Sequence, residues 1–183
     1  MRLHRRRSVR LRFHEYRGGL YFVTACTVGR QPLFGDVTAG VMRLSRLGQI
    51  AHDEWLRTAE VRPAVVLDAF VVMPDHVHLL FGIIPDDDIG SSRLPVGATR
   101  RVAPTDGGAC GPTPGSVGAI VGQYKSVVTK RARALDPSVR VWQRGFYDRV
   151  VRTDREAEAI RRYVADNPVH WHRRPDRADG HRV

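Results

Sequence analysis

An α+β fold is predicted by three features of the sequence: two apolar strand-like runs joined by a Pro-Asp turn, helical periodicity on either side of them, and no internal repeat. The order strand, helix, strand, strand, helix, short strand, helix points to a ferredoxin-like sandwich, with a mainly antiparallel sheet and helices packed on one face. A chain of 183 residues with 42% hydrophobic residues can build a core of ordinary size within one domain.

Residues 1–14, MRLHRRRSVRLRFH, hold six arginines and two histidines with little to bury, and read as a basic arm ahead of a single domain over residues 15–172. After Gly18-Gly19, the run LYFVTACTV is rich in β-branched and aromatic residues and forms the first strand; GRQPLFG follows as a loop. From about Gly40 to Ala59, Val41, Leu44, Leu47, Ile50, Ala51 and Trp55 recur at helical spacing, which predicts an amphipathic helix. VVLDAFVVM (65–73) and HVHLLFGII (76–84) form an antiparallel pair around Pro74-Asp75.

Residues 85–115 are dense in Pro, Gly, Asp and Ser without a sustained period, and are expected to be a flexible insertion. Helical spacing returns from Ser116 to Leu135, with Val117, Ile120, Val121, Tyr124, Val127 and Val128 inward, and Asp136-Pro137 ends it. VWQRGFYDRVV is a mixed aromatic and basic strand or loop. Thr153 or Asp154 caps a last helix, DREAEAIRRYVADN, which Pro168 stops, and residues 173–183 form a basic tail.

The balance of 30 Lys and Arg against 19 Asp and Glu gives a formal charge of +11, with arginine far outnumbering lysine, and favours a polyanionic partner. No apolar run approaches the ~20 residues that span a bilayer, so nucleic acid is expected rather than membrane. The N-terminus lacks the apolar core of a secretory signal, and Cys26 and Cys110 form neither a metal pattern nor a disulfide framework. A reducing, cytoplasmic, nucleoid-associated setting is the default expectation. Arginine suits phosphate geometry, so the arm residues Arg5, Arg6, Arg7 and Arg10 are candidate DNA contacts. Lys125, Lys130 and Arg131 on the outer face of the Ser116–Leu135 helix are further candidates. So are Trp142, Arg144, Tyr147 and Arg149, a mixture suited to stacking bases and gripping phosphates, although Trp142 and Phe146 equally read as core.

Side chains alternate along a strand, so His76 and His78 point to the same side and can offer two imidazoles to one divalent cation. A structural histidine pair at a strand end fits the same pattern, and two ligands alone do not make a tight site. Tyr163 and Asn167, four apart on the last helix, share one face and could add a nucleophile and an amide-oxygen ligand. From spacing alone the plainer reading is the stronger: a half-buried helix aromatic and a residue closing the helix before proline. Tyr124, in phase with the apolar face of its helix, reads as packing.

The segments YFVTACTVGRQPLFG, VVMPDHVHLLFG, VGQYKSVVTKRA, VWQRGFYDRVVR and RRYVADNPVHW, in that order, resemble the REP-associated tyrosine transposases, single-tyrosine HUH transposases that act on single-stranded DNA. The resemblance covers about residues 8–172, and its HxH with a later YxxxNP is specific. It implies an HUH endonuclease fold and a metal-dependent single-stranded DNA endonuclease and strand transferase that cleaves at hairpin or repeat DNA. Cleavage in that family passes through a covalent 5′-phosphotyrosine, and the strands can be rejoined. Carried onto this sequence, it implies Tyr163 as nucleophile and His76 and His78 as ligands of Mg²⁺ or Mn²⁺, with Asn167 in the place of a polar third ligand. Partners implied are single-stranded or hairpin DNA carrying palindromic repeats, bound by a monomer or homodimer. The long segment from Pro85 to Gly115 departs from the compact family pattern. A catalytically silent repeat-DNA-binding regulator with the same fold is the alternative; it would not require His76, His78, Tyr163 and Asn167 together.

Overall fold

The computed structural model describes residues 19–84 and 112–171; the arm with Arg5, Arg6, Arg7 and Arg10, residues 85–111 of the predicted insertion and the 173–183 tail lie outside the described residues. Strand β1 (Gly19–Cys26) alternates so that Tyr21, Val23 and Ala25, all fully buried, face one side of the sheet, while Leu20, Phe22 and Thr24 face the other. β4 (Val65–Met73) and β5 (His76–Ile83) flank the Pro74-Asp75 turn in antiparallel register, Met73 opposite His76, as the sequence predicts. With β6 (Tyr147–Val151) they complete an antiparallel sheet of order β4-β5-β1-β6, the ferredoxin-like order.

Helices α1 (Arg46–Val61) and α2 (Val117–Arg133) cover one face, where Trp55, Ile120, Val121 and Tyr124 meet Tyr21, Val23, Leu79 and Phe81. Helix α3 (Asp154–Asp166) covers the other, through Ala157, Ile160 and Val164 against Leu80, Val151, Leu20 and Phe22. The α+β class and antiparallel sheet are as expected, but the helices divide between two faces instead of sharing one. The physical reason lies in β5, whose side chains are buried at both parities, Val77, Leu79 and Phe81 towards one face and His76, His78 and Leu80 towards the other, so both surfaces of the central strand need a cover.

The second difference concerns residues 35–45. The expected helix from Gly40 begins only at Arg46, and a hairpin of β2 (Gly35–Thr38) and β3 (Val41–Leu44) precedes it. Ala39 and Gly40 adopt φ of 51° and 76°, the two left-handed residues of a tight hairpin turn. Ser45 then starts the helix by accepting a bond from the Gly48 amide at 3.0 Å. Val41 and Leu44 match the helical period only by coincidence. Among the described residues no helix is long and apolar enough to cross a membrane.

Candidate active site

The α3 side of the sheet carries a row of cross-strand pairs, Cys26 with His76, Thr24 with His78 and Phe22 with Leu80, so both histidines face the helix that bears Tyr163. His76 is fully buried and His78 is 5% exposed. Their Nε2 atoms lie 3.0 Å apart. Each ring is held from behind: Nδ1 of His76 donates to the Asp75 carboxylate at 2.5 Å, and Nδ1 of His78 lies 2.8 Å from the Thr24 hydroxyl. A carboxylate on Nδ1 favours the tautomer that leaves the Nε2 lone pair of His76 to a ligand, and the Thr24 contact fixes the orientation of the His78 ring.

Two Nε2 lone pairs facing one another at 3.0 Å repel unless a proton or a cation lies between them. That separation also matches neighbouring corners of an octahedral site with arms of about 2.1 Å, the length magnesium requires. The donor set therefore fits a divalent cation. Among the described residues no three His, Cys, Asp or Glu side chains cluster to hold a metal. Asn167 stands at the C-terminal cap of α3 and is 3% exposed.

Tyr163 projects from α3 into this centre. Its hydroxyl lies 3.2 Å from Nε2 of His78, and its ring meets the His78 ring at 5.2 Å between centroids. Phe22 fixes both partners, stacking on His78 at 5.3 Å and meeting Tyr163 edge-on at 6.2 Å. Tyr163 is nonetheless 43% exposed. Two further contacts seat the helix. Arg161 forms a bidentate pair with Asp68, at 2.8 and 2.7 Å, where β4 carries a register shift between Leu67 and Ala69. Beyond the helix end, Trp171 stacks on His76 at 5.9 Å.

The remaining candidates separate by face. Tyr147 is the cross-strand partner of Thr24, and Arg149 that of Phe22, so both line a groove beside Tyr163. Lys125, Lys130 and Trp142 lie on the opposite layer, along an α2 groove. There Lys125 donates to the backbone oxygens of Gln143 and Gly145 at 2.8 and 2.6 Å, and the Trp142 indole donates to the Lys125 carbonyl at 3.1 Å. Arg131 pairs with the buried Glu54, and Arg144 is exposed. Tyr124 is buried, as expected; its hydroxyl donates to the Ala51 carbonyl at 3.0 Å, and burial pushes its pKa up. The sequence reading missed Asp75 and Thr24 as supports of the histidines. Asp75 was legible as an acid directly before the first histidine, whereas Thr24 required the strand register.

A protein of Haemophilus influenzae (strain ATCC 51907 / DSM 11121 / KW20 / Rd), itself uncharacterized, is 34% identical to this chain over 170 residues, 92% of this chain and 91% of that protein. The chain belongs to the family of that protein. No family model matches it. Among solved structures, a REP-associated tyrosine transposase bound to a REP hairpin superposes with a TM-score of 0.51 at 17% identity, over 93% of this chain and 74% of that one. This member of the family thus shares its fold, over most of its length, with the REP-associated tyrosine transposases, in agreement with the resemblance read from its motifs.

Proposed function

We propose that this protein is a metal-dependent single-stranded DNA endonuclease and strand transferase that cleaves at hairpin or repeat DNA through a covalent tyrosine intermediate. The observation that carries the reading is the Tyr163 hydroxyl, 3.2 Å from Nε2 of a histidine that faces a second histidine at 3.0 Å. A structural aromatic has no need of that position, at the mouth of a pair of aimed nitrogen donors.

In this reading the Tyr163 oxygen attacks a backbone phosphorus, the bond from phosphorus to the 3′ oxygen breaks, and the chain end leaves as a 3′-hydroxyl. The product is a tyrosine ester of the 5′ phosphate. Attack by another 3′-hydroxyl reverses the step and joins strands, because a phenolate leaves readily. His76, His78 and the amide oxygen of Asn167 would hold Mg²⁺ or Mn²⁺, which when bound supplies Lewis acidity to the phosphate. Phe22 and the Arg161–Asp68 pair orient the nucleophile, and Asp75 and Thr24 orient the histidines.

The test is incubation of the protein with hairpin oligonucleotides bearing single-stranded flanks, in Mg²⁺ or Mn²⁺. A denaturation-resistant protein–DNA adduct is expected for the wild type and not for Tyr163→Phe. An adduct of undiminished yield with Tyr163→Phe would refute the assignment, and cleavage without any adduct would indicate water as nucleophile.

A further inference from the structure

Beside the Tyr163 hydroxyl, between β6 and α3, runs a groove of about 430 Å³ whose lining includes Phe22, Tyr147, Asp148, Arg149, Ile160 and Tyr163. Its floor is a continuation of the active centre, because His78, Thr24 and Tyr147 form one row across β5, β1 and β6. Tyr147 therefore stands two strand spacings, about 10 Å, from His78 on the same face. It is 53% exposed, and among the described residues its ring meets no other ring.

The other two aromatic rings of the groove are already engaged: Phe22 is stacked on His78, and Tyr163 is held edge-on by Phe22. Tyr147 is the most exposed of the three lining rings. At the rim, Arg149 is 57% exposed and held 3.2 Å from Glu156, which keeps a guanidinium at the groove edge. An apolar aromatic floor with a cationic rim is the chemistry of a nucleobase joined to its phosphate. The groove offers one platform, which suits a single unpaired base and not a base pair.

We infer that this groove is a subsite for one unpaired nucleobase next to the phosphate that Tyr163 addresses, with Tyr147 as stacking platform and Arg149 as phosphate contact. The inference rests on the proposed DNA-cleaving function and adds to it a reason for single-strand selectivity, since a paired base cannot present its face to Tyr147. Stacking tolerates any base, so the subsite selects for strand form and not for sequence.

The test needs neither metal nor cleavage. An oligodeoxythymidylate with scattered 5-iodouracil is bound to the metal-free full-length protein, photocrosslinked and mapped by mass spectrometry, and affinity is measured in parallel by anisotropy. A crosslink within the Tyr147 peptide is expected, and Tyr147→Ala should abolish it and weaken binding roughly 5- to 100-fold, whereas Tyr147→Trp restores both. Crosslinks confined to the α2 side around Trp142, with unchanged affinity for Tyr147→Ala, would overturn the inference. Loss of affinity in both Tyr147 variants alike would also overturn it, because a stacking platform accepts tryptophan. A Tyr147 crosslink in a protein that never forms a DNA adduct would leave the subsite standing and reject the cleavage reading; an adduct without the crosslink would do the reverse.

Discussion

Asp75→Asn is expected to weaken binding of Mn²⁺ without disturbing the fold. Asp75 is 3% exposed, and its carboxylate accepts the Nδ1 proton of His76 at 2.5 Å. The turn it occupies is secured through its backbone instead: the Thr27 amide and hydroxyl both donate to the Asp75 carbonyl, at 2.9 and 3.0 Å. Arg30, 3.7 Å from the carboxylate and 45% exposed, stays solvated when the charge is removed. The substitution therefore acts mainly on the imidazole. An asparagine oxygen can still accept the proton but without charge, so the ring loses basicity and part of its tautomer preference. Removing such a support costs about 10- to 100-fold in metal affinity, or roughly 1.4–2.7 kcal/mol. Asn should fall at the lower end and Asp75→Ala at the upper. Calorimetric titration with Mn²⁺ reads the affinity, and the urea midpoint checks the fold. An affinity within about twofold of wild type, with the midpoint unchanged, would refute the claim that Asp75 supports a metal ligand.

Other outcomes follow from the seating of α3 and from the α2 groove. Ile160→Ala removes the largest helix side chain from the small cluster with Leu80, Val151 and Val164, and should cost about 2–4 kcal/mol in urea unfolding. Arg161→Gln should leave the urea midpoint nearly unchanged, because the Asp68 pair is partly exposed, yet slow adduct formation by roughly tenfold through loss of helix orientation. The swap of Asp68→Arg with Arg161→Asp should recover part of that rate, and equal rates in all three proteins would discount the pair. Lys125→Met should destabilise by about 1–3 kcal/mol, because two backbone oxygens lose their charged donor. The salt dependence of DNA binding should stay as in wild type for Lys125→Met; if Lys130 contacts a phosphate, Lys130→Ala lowers its slope by about one unit.

The elements that build the site were the most legible ones. The apolar runs around Pro74-Asp75 specify the central hairpin, and strand alternation places His76 and His78 on one side. Likewise, the spacing of the last helix puts Tyr163 and Asn167 one turn apart. What the sequence concealed depends on register and on three-dimensional competition. Thr24 lies 54 residues from His78 and becomes its neighbour only when β1 and β5 pair. The β2–β3 hairpin escaped because its turn is Ala39-Gly40, without the Asn or Asp that usually marks two left-handed residues. Lys125 and Arg131 looked alike as solvent-facing cations on α2, yet one holds the Gln143–Gly145 backbone and the other a buried glutamate. Charge on a helix face shows that a partner is needed, and only packing shows whether the protein supplies it.

In the proposed reaction Tyr163 is the nucleophile towards a DNA phosphate, in a centre built by His76 and His78. The most direct measurement is protease digestion of the protein–DNA adduct followed by mass spectrometric mapping of the phosphorylated residue. A 5′-phosphonucleotide is expected on the peptide that contains Tyr163, formed with added Mg²⁺ or Mn²⁺ and lost when both histidines are replaced by alanine. A nucleotide attached to Tyr147 or another residue, or an adduct that survives removal of both histidines, would contradict it.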